Sequence, residues 1–525
     1  MLSLSPFQLT DLSGASQQFS GDRPSVVCFV KEDCPTCREV MPVLAVMYDA
    51  LASSMDFLVL GQTAQGNVTL QQDFNLPFSL LDDSDLKVSF ATDVETVPTL
   101  LVTDASGAVV SEQVGFVRDD WQGLVNELLD QAQGDDLPLD WSMLPEWRPG
   151  CGSLSVDPTH ADRLQAEADN SPIRARRIDV GGLDDEFEFM FDQGFSDGLP
   201  VVPPTPERVL RMLNGTTRDA QEVIAVMPPN MGEVTVEKAA INAVMAGCKP
   251  EYLPVVIAAI EAVCTDDFNI HGVMATTMGA SPVMVVNGPI RHRIGMSMGI
   301  GALGQGNRAN ATIGRALRLT VRNVGGAVPG GTERSTLSNP MKFTMCFAEW
   351  EERSSWEPLH VERGFDAEDS VVTLFAMTSG PVLTVDEGSL DGRALAGTLG
   401  QATHTILNAR AYSFTNCLLV VSPEHVDTFK RGDYSKAEVR RRMQEVTAKT
   451  YRDLMVDDAS GVGLKPEQAA LMGEDKLDAV VEKFKEDQDI YMVVAGSEAG
   501  KFTGAFHGWL TGSRGSIPVS QKIGT

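Results

Sequence analysis

Cys34 and Cys37 stand two residues apart in the run Lys31-Glu32-Asp33-Cys34-Pro35-Thr36-Cys37-Arg38. Cysteines at this spacing on the first turn of a helix have their sulfurs close enough for a disulfide. The first sits over unpaired backbone N–H groups and the positive end of the helix dipole, and both favour thiolate over thiol. Cys34 is therefore the expected attacker of disulfides, and Cys37 the thiol that resolves the mixed disulfide. The elements that must hold them are legible alongside. The apolar run Val26-Val27-Cys28-Phe29-Val30 reads as a buried strand, a short acidic turn follows, and Val40, Met41, Leu44 and Met47 recur at helical spacing. Half of a zinc site is the competing reading, but the chain has no second C-x-x-C or H-x-H pair to complete it. Two merely structural cysteines would leave the strand–CxxC–helix setting without a purpose.

Further along, Thr92-Asp93-Val94-Glu95-Thr96-Val97-Pro98-Thr99 precedes the strand Leu100-Leu101-Val102. On these features residues 1–131 resemble the thioredoxin fold, closest to its peroxiredoxin- and TlpA-like branch. The resemblance implies that the Val-Pro-Thr proline, Pro98, is cis and faces the dithiol. It also exposes a departure. The aromatic that often precedes the first cysteine is replaced by Asp33, whose carboxylate opposes thiolate formation.

A chain of 525 residues is too long for one core, so two or three domains are expected. Its apolar content of 43% and charged content of 22% are those of a soluble globular protein. The net charge of −30 argues against nucleic acid and anionic membranes as partners. No charged n-region with a long apolar h-region opens the chain, and no run of 18 apolar residues suggests a membrane span. Eight cysteines do not form a disulfide framework at this length, so a reducing cytoplasm is the expected compartment.

The expected fold class is α/β, a thioredoxin-like α/β domain followed by a larger mixed α/β domain. A hairpin over 5–20, strands at 25–30, 56–60 and 99–103, and helices at 37–53 and 118–132 make up the first domain, 1–132. Gln133-Gly134-Asp135-Asp136-Leu137-Pro138 closes it. Residues 133–177 read as a linker. Within it Arg148-Pro149-Gly150-Cys151-Gly152-Ser153 carries a third thiol between glycines, either able to swing toward a partner or incidental.

The rest, 178–525, reads as the catalytic domain, divisible at 365. Asp197-Gly198-Leu199-Pro200 is a tight turn. Helices are expected from Pro206, over 236–247 with Thr235 as cap, and over 250–264. The strand Val283–Val286 ends at Asn287, a position where α/β sheets often hold ligands. Gly299–Gly304 match GxGxxG formally, but no strand precedes and no acidic residue follows at the right place, so a dinucleotide is not expected. Glycine N–H groups, Asn307, Asn310 as cap of a helix 311–323, and Arg308 and Arg315 would instead suit a carboxylate or phosphate. The plainer reading is a packing loop with solvated arginines. Cys346, two following carboxylates and His360 form a candidate nucleophile set whose spacing matches no metal signature. Gly496-Ser497-Glu498-Ala499-Gly500-Lys501-Phe502 is one residue short of a Walker A loop and lacks its Ser or Thr, which argues against ATP hydrolysis.

Four runs within 195–525 carry a second resemblance: Asp197–Pro204, Glu237–Cys248, Gly306–Ala316 and Trp356–Gly364. They are similar to large proteins associated with UGSC-type selenoproteins or their cysteine counterparts, although the UGSC motif itself is not in this chain. That likeness implies thiol or selenol chemistry on a small molecule.

Three functions follow. In the first, a redox-active Cys34–Cys37 pair, with no other cofactor required, passes electrons through Cys151 to the larger domain. There a small anion held by Arg308 and Arg315 is reduced or has a carbon–heteroatom bond cleaved, with Pro98, Asn287, Asn307 and Asn310 contributing to binding. In the second, Cys346 or Cys248 is the nucleophile of a lyase or sulfur transferase and the dithiol only keeps it reduced. In the third, the thioredoxin-like domain is a docking or chaperone module. A thioredoxin or its reductase is the candidate electron donor, and the apolar helices over 236–264 are compatible with a homodimer.

Overall fold

A computed structural model describes residues 3–133, 137–178, 180–181 and 185–524. Met1 and Leu2, which open the segment read for a leader, and Gly134–Asp136, expected to close the first domain, lie outside the described residues. The chain divides into two compact units, Met1–Ile178 and Asp179–Thr525. Among the described residues no helix is long and apolar enough to cross a membrane.

The first unit opens with the expected hairpin, β1 (Phe7–Thr10) against β2 (Ser16–Phe19). The chain then runs β3 (Ser25–Val30), α1 (Pro35–Leu51), β4 (Asp56–Gly61), α2 (Ala64–Phe74) and β5 (Leu81–Asp82). It continues through α3 (Lys87–Ala91), β6 (Thr96–Val97), β7 (Thr99–Thr103), β8 (Val109–Val114), β9 (Phe116–Val117) and α4 (Arg118–Ala132). The sheet order is β5-β4-β3-β7-β8, with β3 parallel to β4 and antiparallel to β7. All six residues of β3 are buried, because helices cover both faces of a central strand. Val40, Met41, Leu44 and Met47 of α1 pack into the core beneath, with Trp121, Leu124, Val125 and Leu128 of α4.

Residues 133–177 are not a free linker. Leu137, Leu139, Trp141, Leu144 and Cys151 pack on the first unit's core. The segment adds β10 (Trp147–Arg148), paired with β9, and β11 (Cys151–Gly152), paired with β6. Proline and glycine content suggested a tether, but the interspersed apolar residues had a core to join.

The second unit is built on one mixed sheet of seven strands. Its order is Cys346–Ala348, Ser281–Asn287, Val371–Val385, Phe502–Leu510, Thr415–Val421, Ile490–Val494, with Val519–Lys522 on the remaining edge of Val371–Val385. Strands from both sides of residue 365 thus share one ladder, and the expected division there is absent. Helix Val236–Ala246 is capped by Thr235 and ended by Gly247 in the left-handed region, as the sequence suggested. Helix Leu253–Val263, preceded by a single 3₁₀ turn from Pro250, has ten buried residues. Helix Arg308–Asn323 starts earlier than expected because its cap is Asn307, which accepts from the Asn310 N–H at 3.0 Å.

The turn at Asp197 is fastened to that helix by a two-pronged ion pair, with Arg315 donating to Asp197 at 2.7 and 2.9 Å. Both side chains are mostly buried. Removing one partner of such a pair leaves a desolvated charge uncompensated. Asp197→Ala is expected to lower unfolding stability by about 3 kcal/mol in denaturant titration. A loss no larger than that of an exposed pair, ~0.5 kcal/mol, would contradict this.

Candidate functional site

Cys34 caps α1 with its own sulfur, which accepts from the Cys37 N–H at 3.4 Å. Pro35 occupies the first helical position, where a missing N–H does no harm. On the other side the Cys34 thiol, when protonated, donates to the Val97 carbonyl at 3.4 Å. The Val97–Pro98 bond is cis, so Pro98 stands where the resemblance placed it, next to the dithiol. The Cys37 sulfur lies deeper and accepts from the Lys31 N–H at 3.4 Å.

The two sulfurs are electrostatically unequal. The Cys37 thiol donates to Cys34, Cys151 donates as well, and the N–H groups of Cys37 and Thr36 add to them. Against burial, these hold Cys34 at about 5. Burial, reinforced by the neighbouring Cys34 charge, pushes Cys37 far above the ordinary thiol range. Asp33 is not among the main influences on Cys34. Its carboxylate turns outward and pairs with Lys31 at 3.3 Å.

Cys151 belongs to the same site. Its strand β11 lies antiparallel to β6 with Cys151 opposite Val97. Burial, then the adjacent Cys34, raise this thiol to about 11. Cys34 has no exposed surface, whereas Cys151 is half-buried. Three thiols thus meet within one strand–helix junction.

This part of the chain has a thioredoxin-like fold.

No family model matches the chain, and no curated protein matches it. Among solved structures it is similar to StoA from Bacillus subtilis, at 17% identity over 23% of this chain and 98% of that one, TM-score 0.21. It is also similar to a secreted Mycobacterium tuberculosis disulfide oxidoreductase homologous to E. coli DsbE, at 23% identity over 23% and 95%, TM-score 0.21. The exposed lipoprotein thioredoxin Etrx1 of Streptococcus pneumoniae matches at 17% identity over 24% and 99%, TM-score 0.21.

In the second unit the expected site residues separate. Arg315 is committed to Asp197. Asn307 caps its helix and donates to the Gly295 carbonyl at 2.8 Å. Asn310 spans the glycine-rich loop, donating to the carbonyls of Ser297 and Ala302 at 2.8 and 3.0 Å. These asparagines hold the loop to the helix and leave no amide for a ligand. Cys346 is buried against Gly314 of the same helix, and burial drives its thiol strongly upward. His360 lies elsewhere, 3.9 Å from Glu351. The two therefore form no nucleophile–base pair. Asn287 does reach the carboxylates, donating to Glu349 at 2.7 Å and Glu351 at 3.0 Å, in a buried cluster that Arg291 also enters. Burial raises Glu349. Gly496–Lys501 leads into strand Phe502–Leu510 rather than a helix, so no phosphate loop forms there. Among the described residues no three His, Cys, Asp or Glu side chains are arranged to hold a metal ion.

Arg308 lines a cavity of about 500 Å³ together with Arg208, Arg211 and Lys249, with Glu251 the one carboxylate present. Its guanidinium is aimed by the Gly247 carbonyl at 2.8 Å, and that of Arg208 by the Pro203 carbonyl at 2.8 Å. Among the described residues none of the four cations is in an ion pair. The three further cations come from two separate segments, and no spacing rule joins residues 208, 211 and 249. Cys248 at the cavity wall is held protonated by burial, at about 12.

The reduced chain is expected to show one thiolate whose ultraviolet absorbance appears with a midpoint near pH 5. Cys37→Ala removes the largest donor and should move that midpoint up, and Cys151→Ala should move it up by less. A wild-type midpoint in the ordinary thiol range would overturn the assignment.

Proposed function

We propose that the first unit is a thiol–disulfide exchange module, and that it supplies reducing equivalents for chemistry on a small anionic molecule in the second unit. The observation that carries the first part is the inequality of the two sulfurs. Cys34 is a thiolate at neutral pH while Cys37, one helical turn on, keeps its proton. Cys34 attacks one sulfur of a disulfide, and the other sulfur leaves as a thiolate. Cys37 then attacks Cys34, its proton passing to the departing thiolate, which leaves a Cys34–Cys37 disulfide and a reduced substrate. An external thiol couple, of which a thioredoxin with its reductase is one example, returns the pair to the dithiol.

For the second unit the cavity lined by Arg208, Arg211, Lys249 and Arg308 supports an anion. In a chain of net charge −30, cations without a carboxylate partner around one hollow concentrate a negative ligand there. The likeness of residues 195–525 to selenoprotein-associated proteins supports thiol or selenol chemistry on a small molecule, of which reduction or carbon–heteroatom cleavage are forms. The thiols of Cys248 and Cys346, both protonated by burial, do not favour the lyase or sulfur-transfer reading.

Cys34→Ser should abolish reduction of a small aromatic disulfide, and a double variant, Cys37→Ser with Cys151→Ser, should stop at a mixed disulfide visible by intact mass. Wild-type rates in Cys34→Ser would refute the exchange reading. Arg208→Gln combined with Lys249→Gln should weaken binding of a dicarboxylate or inorganic phosphate by roughly tenfold at low salt, measured calorimetrically. Equal binding by wild type and variant would remove the anion site.

A further inference from the structure

The segment 146–155 crosses the dithiol as a strap, and its contacts are directional. The Arg118 N–H donates to the Glu146 carbonyl at 3.0 Å, and β10 pairs with β9. Thr36, between the two cysteines, donates its hydroxyl to the Pro149 carbonyl at 2.6 Å. Lys31 reaches the Gly152 carbonyl at 3.2 Å, and Arg148 pairs with Glu39 of α1 at 3.1 Å. The Ser153 N–H donates to the Glu95 carbonyl at 2.9 Å, and the buried Ser153 hydroxyl accepts from Gln62 at 2.6 Å. The strap lies so close to the Val97–Pro98 turn that a Cβ at Gly150 would stand 2.7 Å from the Val97 carbonyl oxygen and 2.2 Å from the Thr96 methyl.

An extended chain is therefore hydrogen-bonded along β6 with a cysteine at the position facing Cys34. We infer that the strap is a tethered substrate mimic, and that Cys34 forms a disulfide with Cys151 in competition with Cys37. The inference rests on reading Cys34 and Cys37 as an exchanging pair. Starting from the Cys34–Cys37 disulfide, the Cys151 sulfur attacks Cys34 as the Cys34–Cys37 bond breaks. The new bond is Cys34–Cys151, and the proton leaving Cys151 ends on Cys37. No electrons enter or leave, so no oxidant is needed. The half-buried Cys151 sulfur then becomes the point where an external thiol enters. Its attack on Cys151 releases Cys34 as thiolate while the entering thiol stays bonded to Cys151. A second external thiol clears that mixed disulfide. Disulfides too bulky to pass the strap gain access to Cys34 only when it lifts.

The test uses the full chain treated with oxidised glutathione, followed by non-reducing peptide mass spectrometry. Cys37→Ser is expected to yield a Cys34–Cys151 disulfide. If Cys37→Ser instead accumulates Cys34 bound to glutathione with Cys151 free, while wild type forms Cys34–Cys37, the strap proposal falls and the exchange reading stands. If wild type forms no disulfide at Cys34 at all, the exchange reading falls first. A second variant leaves every sulfur in place. Gly150→Val should push the strap from the turn and speed alkylation of Cys34 by iodoacetamide by roughly tenfold, because local opening becomes easier. An unchanged alkylation rate in a variant with the wild-type circular dichroism spectrum would show that the strap does not cover Cys34. Should that variant fail to fold, the Cys37→Ser result decides alone.

Discussion

A buried sulfur anion is costly unless donors surround it, and the first unit is arranged around supplying them to Cys34. The start of α1 provides the N–H groups of Thr36 and Cys37, and two further thiols provide the rest. Each donor depends on another element. Cys37 is fixed by the N–H of Lys31, the residue that follows β3, and Cys151 by its ladder with β6. The core of α1, α4 and the five-stranded sheet therefore serves to keep three side chains within reach of one atom.

The second unit manages its polar groups in the opposite way. Most of its buried charges neutralise one another: Arg318 and Lys342 share Glu333, Lys436 and Arg440 share Glu362, and Arg291 engages Glu351 and Glu352. Such pairs hold segments distant in sequence but leave nothing for a ligand. Against that background the cations of the Arg208–Arg308 hollow are conspicuous because their guanidinium and ammonium groups meet carbonyls or solvent instead of carboxylates.

Local signals were legible in the sequence and long-range ones were not. Strands Ser25–Val30 and Thr99–Thr103 and the cap at Thr235 follow from patterns spanning a few residues, and the cis Pro98 from the resemblance that its Val-Pro-Thr run carries. The hairpin Val223–Met227 with Gly232–Thr235 carries Pro228 and Pro229 at its turn, and these mask a short pairing in the sequence. The commitment of Arg315 to Asp197 joins residues more than a hundred positions apart, and nothing in either neighbourhood announces it. Cys151 falls between these cases. Its flanking glycines marked it, but only the ladder to β6 shows that it meets Cys34. The asparagines at 307 and 310 looked like ligand groups because amides that brace a loop have the same composition as amides that bind.

The long strand Val371–Val385 has a consequence for how the polypeptide is made. One of its edges is filled by Ser281–Asn287, already synthesised when it emerges. The other edge is completed only by Phe502–Leu510 and Val519–Lys522. Until residues 502–522 have been synthesised that edge stays open, with unpaired N–H and C=O groups beside a largely apolar surface. The first unit, by contrast, has all of its strands in hand by residue 152 and can close while translation continues.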